Sequence, residues 1–110
     1  YDAFYLRAQK VRTLIKKDFQ RAFQEVDFII TPVSPFLPFK IGEKIDDPLS
    51  MYLSDIYTIP VNLTGVPAMT VPIDKIGRLP VAIQIIGNFF EEKGIFELGK
   101  LIEEIRSYDL

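Results

Sequence analysis

An α/β fold, in which helices flank part of a mixed β-sheet, is what this 110-residue sequence predicts. Three observations carry that reading. Segments near both ends place apolar residues three or four apart, the period of a helix buried on one face. Three short runs, rich in β-branched residues and bounded by proline, glycine or aspartate, read as strands. Along the chain the patterns follow the order α-β-α-β-β-α, as expected of helices packed against a sheet. With 48% hydrophobic and 25% charged residues, the composition is that of a folded globular chain with room for one domain at most.

The first element is a helix from Tyr1 to Gln24, because Phe4, Ala8, Val11, Ile15, Phe19, Ala22 and Val26 form one apolar stripe. Asp2 suits its start, where a carboxylate meets unpaired backbone N–H groups. The opposite face carries Arg7, Lys10, Arg12, Lys16, Lys17 and Arg21. Such a face is either solvated or meets an acidic partner or an RNA phosphate.

Phe28 to Val33 reads as a buried strand ending at Pro32. Ser34 to Pro48, with Pro35, Pro38 and Gly42, is a long irregular loop, functional or inert. Leu49 to Leu63 has apolar residues on several sides and predicts a helix ended by Gly65. Pro60 lies inside it, lacks an N–H and crowds the preceding turn, so the helix is expected to kink or break near Ile59.

Val66 to Ile73 and Leu79 to Gly87 predict two more strands, joined by a turn over residues 74–78. Pro67 and Pro72 then fall at the ends of the first strand, where a missing donor is tolerated. The second is apolar on both faces, as a central strand covered by helices would be, with Gln84 interrupting it. The last element is a helix from about Glu91 to Ser107 with a stripe of Ile95, Leu98, Leu101, Ile102 and Ile105.

Composition also restricts the chemistry. The sequence has no histidine and no cysteine, so it holds no Ser-His-Asp triad, Cys-His pair, disulfide or zinc site of the usual ligands. A net charge of −2 leaves no global basic field for sequence-blind nucleic-acid binding. No apolar run approaches the roughly 18 residues of a membrane span, and a cytoplasmic location without membrane contact is the expectation.

Few residues remain as candidates. No phosphate-binding loop, dinucleotide fingerprint or G-x-S-x-G stands in the chain, and no local motif sets a lysine beside a reactive hydroxyl. Ser34, Ser50 and Ser54 read as turn or cap residues, and Asp46-Asp47 before Pro48 as a helix-start signal. Asp55 is the only charged residue between Pro48 and Asp74, in a segment whose composition predicts burial. A buried carboxylate answers backbone donors or a lysine, or else anchors a cationic ligand group such as an α-ammonium. Gln84 either steadies a neighbouring loop or lines a pocket.

Taken together, Asp47 to Pro67, containing Asp-Pro-Leu-Ser-Met-Tyr and Asn-Leu-Thr-Gly-Val-Pro, resembles the amidase signature family. Tyr1 to Arg12, Asp27 to Pro32, and Leu79-Pro80 through Gln84-Ile85-Ile86-Gly87 agree in order and spacing. Asp-Pro-Leu-x-Met-Tyr and the aspartate at position 55 are most similar to the A subunits of tRNA-dependent amidotransferases within that family. The resemblance implies the amidase signature fold and hydrolysis of glutamine to ammonia. A partner B subunit would use that ammonia, with ATP and magnesium, to convert glutamate on misacylated tRNA(Gln) to glutamine. The B and C subunits of such an amidotransferase are the implied partners, tRNA is reached through the complex, and no cofactor is expected on this chain itself.

The family's catalytic set is a Ser-cis-Ser-Lys triad in a glycine- and serine-rich stretch, and none of it stands in these residues. The family places it upstream, together with an arginine that grips the glutamine carboxylate. Residues 1–110 are therefore expected to be the C-terminal portion of one amidase domain, cut from a longer chain and inactive alone. One position carries over: the family's aspartate for the substrate α-ammonium matches Asp55. Two other readings compete, a fragment of an amidase signature hydrolase acting on a different amide, and a self-contained interaction module.

Overall fold

The computed structural model describes residues 2–43 and 46–106. Helix α1 spans Asp2–Ala22, strand β1 Phe28–Pro32, helix α2 Pro48–Leu53 and helix α3 Ile59–Thr64. Strands β2 and β3 cover Ala68–Ile76 and Leu79–Gly87, and helix α4 covers Glu92–Ile105. The α/β class and the helix-flanked sheet are as predicted. The sheet has the order β1-β3-β2, and both pairings are antiparallel, so the parallel pairs of a mixed sheet do not occur among the described residues.

As its apolar pattern predicts, β3 is the central strand, and successive side chains point to opposite faces. Ile85, fully buried, packs with Val71 and Ile95 under α4, supported by Phe28, Met69 and Leu98. Ile86 packs on the other face with Val61 and Val66, supported by Phe19, Phe23 and Phe89. The result is three layers, with α4 on one side of the sheet and α1 with α3 on the other.

Several boundaries differ from expectation. In place of one kinked helix over Leu49 to Leu63, two six-residue helices are separated by a turn over residues 54–58. Pro60 sits in the first turn of α3, where its missing N–H would have had no intrahelical partner. It therefore starts a helix instead of bending one. Gly65 ends α3 as predicted, with φ 75° in the left-handed region and its N–H on the Val61 carbonyl.

The β2–β3 connection is tighter than expected, because both strands run on to a two-residue turn of Gly77 and Arg78. Gly77 alone of the two has positive φ, 63°, the pattern of a type II′ hairpin turn. Pro72 lies within β2, at an irregularity in the pairing between Pro72 and Asp74. A bulge on an edge strand tolerates the absent donor as well as a strand end does.

Neither helix stripe is covered along its whole length. In α1, Ile15, Phe19 and Ala22 are half-buried, Phe19 against the cluster of Val61, Val66 and Ile86, whereas Phe4 and Val11 are exposed. In α4, Ile95 is buried and Leu98 and Ile102 are half-buried, but Leu101 and Ile105 face outward. Asp2 stands in the first turn of α1; Tyr1 and Ser107 lie outside the described residues.

Candidate functional site

The sequence around Asp55 favours a turn, because two helices meet there and both have local start and stop signals. Asp47 caps α2, its Oδ1 accepting the Ser50 N–H at 3.2 Å, with Pro48 in the first turn. This bears out the helix-start reading at Asp47. After Ser54 the chain tightens, and the Asp55 carbonyl accepts from the N–H groups of both Thr58 and Ile59 at 3.1 Å. Ser54 donates its hydroxyl to the Ser50 carbonyl at 3.0 Å, and Thr58 donates its own to the Asp55 carbonyl at 3.3 Å.

Asp55 itself is exposed, not buried as its apolar neighbours suggested. The break between α2 and α3 brings it to the surface, where water hydrates the carboxylate and no buried partner is required. Among the described residues its carboxylate has no hydrogen-bond or ion-pair partner. It lies on the wall of an open cleft of about 360 Å³, between the turn over residues 54–58 and the segment over residues 33–39. Ser34, Phe36 and Pro80 contribute to the opposite side.

One wall is thus largely apolar and the other carries a free anion and hydroxyls, a combination suited to a small ligand with a cationic group. Ser34 accepts the Phe36 N–H at 3.3 Å, the turn role its sequence context suggested. Ser34, Phe36 and Pro80 had no individual signal as pocket residues. They reach the cleft because β1 delivers the loop there and β3 begins beside it.

Gln84 is buried beneath this site. Its Nε2 donates to the Tyr57 carbonyl at 2.9 Å and to the Thr31 hydroxyl at 3.1 Å, so it steadies a neighbouring loop. The basic face of α1 is partly used inside the molecule. Arg12 Nε donates to the Leu63 carbonyl at 2.8 Å, satisfying a carbonyl at the negative end of α3. Lys16 Nζ stands 5.1 Å from the centre of the Phe89 ring. Among the described residues no three His, Cys, Asp or Glu side chains gather to hold a metal, and no helix is long and apolar enough to cross a membrane.

A family model described as Amidase matches residues 1–96. The chain belongs to the amidase family. The expectation drawn from Asn62 to Pro67 and Leu79 to Gly87 is therefore borne out. This amidase chain is similar to the A subunit of glutamyl-tRNA(Gln) amidotransferase from Thermodesulfovibrio yellowstonii, 59% identical over 94% of this chain and 22% of that protein. It is also similar to the first of the numbered glutamyl-tRNA(Gln) amidotransferase A subunits of Clostridium acetobutylicum, 56% identical over 94% of this chain and 21% of that protein. Among solved structures, the glutamyl-tRNA(Gln) amidotransferase A subunit of Thermotoga maritima superposes with a TM-score of 0.92 at 43% identity, over 100% of this chain and 24% of that one. The amidase chain thus spans about a fifth of the length of the curated relatives it matches.

Proposed function

We propose that this chain is the C-terminal portion of a single amidase domain, in the glutamine-hydrolysing A subunit of a tRNA-dependent amidotransferase. The observation that supports this most is the likeness, at 59% and 56% identity over 94% of the chain, to the A subunits of glutamyl-tRNA(Gln) amidotransferases. In this reading glutamine is the nitrogen donor. Its hydrolysis releases ammonia, which the partner B subunit uses with ATP and magnesium to convert glutamate on tRNA(Gln) to glutamine. The C subunit completes the complex, which meets tRNA as a whole and works in the cytoplasm. The Ser-cis-Ser-Lys triad is supplied by the rest of the full-length protein, so the purified 110-residue chain alone does not hydrolyse glutamine. Turnover by that chain would overturn the proposal.

Asp55 supplies the anionic end of the glutamine pocket. Its carboxylate, free of partners among the described residues and on the wall of a cleft of about 360 Å³, supports the role. An α-ammonium brings one positive charge and three N–H donors, and an ionised carboxylate accepts from it through charge-assisted hydrogen bonds. In the full-length protein, Asp55→Ala is expected to raise the KM for glutamine about 10- to 100-fold, the range for a lost hydrogen bond to a charged group, with kcat changed less. Simple amides without an α-ammonium are expected to be affected less. Equal effects on both substrate types would instead favour an amidase signature hydrolase of a different amide.

A further inference from the structure

Resting on the assignment of Asp55 to the glutamine pocket, we propose that Gln84 is a positioning residue that sets the distance between the two walls of the Asp55 cleft. Gln84 lies on the central strand β3, opposite Thr31 of β1 in the register, and is only 5% exposed. Its side-chain amide has two N–H donors. It donates to the Tyr57 carbonyl at 2.9 Å, in the turn between Asp55 and Thr58. It also donates to the Thr31 hydroxyl at 3.1 Å, and that hydroxyl donates to the Pro32 carbonyl at 2.8 Å.

These partners belong to different walls. Tyr57 is two residues from Asp55, whereas Pro32 leads directly into Val33 and Ser34. One amide, fixed by the sheet, therefore ties the carboxylate-bearing turn and the opposing loop to a common anchor. The Gln84 amide is buried and its two hydrogen bonds are part-buried, so they are exchanged for bonds to solvent less readily than surface bonds, and the tie holds the walls in register. Gln84 touches no substrate in this scheme and acts through the position of Asp55.

The test is made in the full-length protein with Gln84→Met, which keeps an unbranched side chain of similar length and removes both donors. The KM for glutamine is expected to rise about fivefold, as for loss of an ordinary hydrogen bond, with kcat within about twofold of the parent. Amide hydrogen exchange at Thr58 and Ile59 is expected to quicken while Ile85 and Ile86 stay protected. Because Gln84 acts through Asp55, adding Gln84→Met to Asp55→Ala is expected to raise KM little beyond Asp55→Ala alone.

An unchanged KM for Gln84→Met, beside a raised one for Asp55→Ala, overturns the positioning role and leaves the glutamine assignment standing. Fully additive effects in the double variant overturn it too, as does equal loosening of β3. If Asp55→Ala leaves KM unchanged, the glutamine assignment fails; faster exchange at Thr58 and Ile59 in Gln84→Met then supports the positioning role, and unchanged exchange overturns it. Should Gln84→Met fail to fold, Thr31→Val removes one acceptor and keeps the Tyr57 bond. It is expected to move KM and exchange the same way by a smaller amount, and no change in either overturns the proposal.

Discussion

Gly87 leaves no room for a side chain between β3 and the helix that covers it. A Cβ at this position would stand 2.8 Å from Ile95 Cδ1 and 3.0 Å from its Cγ1. Ile95 is buried in the core, so it cannot swing outward to make room. Gly87→Ala is therefore expected to destabilise the protein by about 1–3 kcal/mol, the usual cost of overpacking, visible as a lower thermal unfolding midpoint. Gly99 differs, since a Cβ there meets chiefly the terminal methyl of Met69, which can turn aside. Both glycines are legible in the sequence, but their costs are not, because each depends on a neighbour from another element. Asp55 follows the same logic. Its charge among apolar residues singled it out, yet its exposure depends on where α2 stops, which the apolar pattern does not encode.

At the scale of elements, proline and glycine carried the local information, and tertiary contact decided what they did with it. Pro60 signalled a disruption near Ile59, and the disruption takes the form of a helix start because Pro60 falls in the first turn of α3, after a turn whose Tyr57 carbonyl is held by Gln84 of β3. The short α3 is held to α1 by Arg12, whose bond to the Leu63 carbonyl joins residues 51 apart in sequence. Arg12→Met keeps the aliphatic stem and removes the donor. Faster hydrogen exchange at the last amides of α3, Thr64 and Gly65, is expected, with a stability loss of about 0.5–1 kcal/mol for an exposed charge at a helix C-terminus. Unchanged exchange would mean that apolar packing of Phe19 against the cluster containing Val61 docks the helices without it. The basic face of α1 was legible from the first helix; that two of its cations serve the molecule itself was not.

The whole molecule is a slab, with extents of 50 × 40 × 17 Å and a radius of gyration of 16.4 Å. A compact chain of this length would have a radius of about 13 Å. The excess goes with apolar surface left bare: Phe4 is 77% exposed, Leu14 60%, Phe96 66% and Ile105 72%. Large apolar side chains left exposed in this number favour association. The isolated 110-residue chain is expected to sediment as dimers or larger species at micromolar concentration. A dilute monomer with one cooperative unfolding transition would instead favour the self-contained interaction module.

By itself the sequence determined the class of every element, the central place of β3, the ends marked by Pro32 and Gly65, and the family. Periodicity, proline and glycine act on the backbone within a turn or a strand, and a short motif is a local object. Only the tertiary structure decided that Asp55 faces solvent, that Gln84 joins Tyr57 to Thr31, and that parts of the helix stripes stay uncovered. Those outcomes depend on which distant segments meet, and on how much apolar surface the remaining segments can cover.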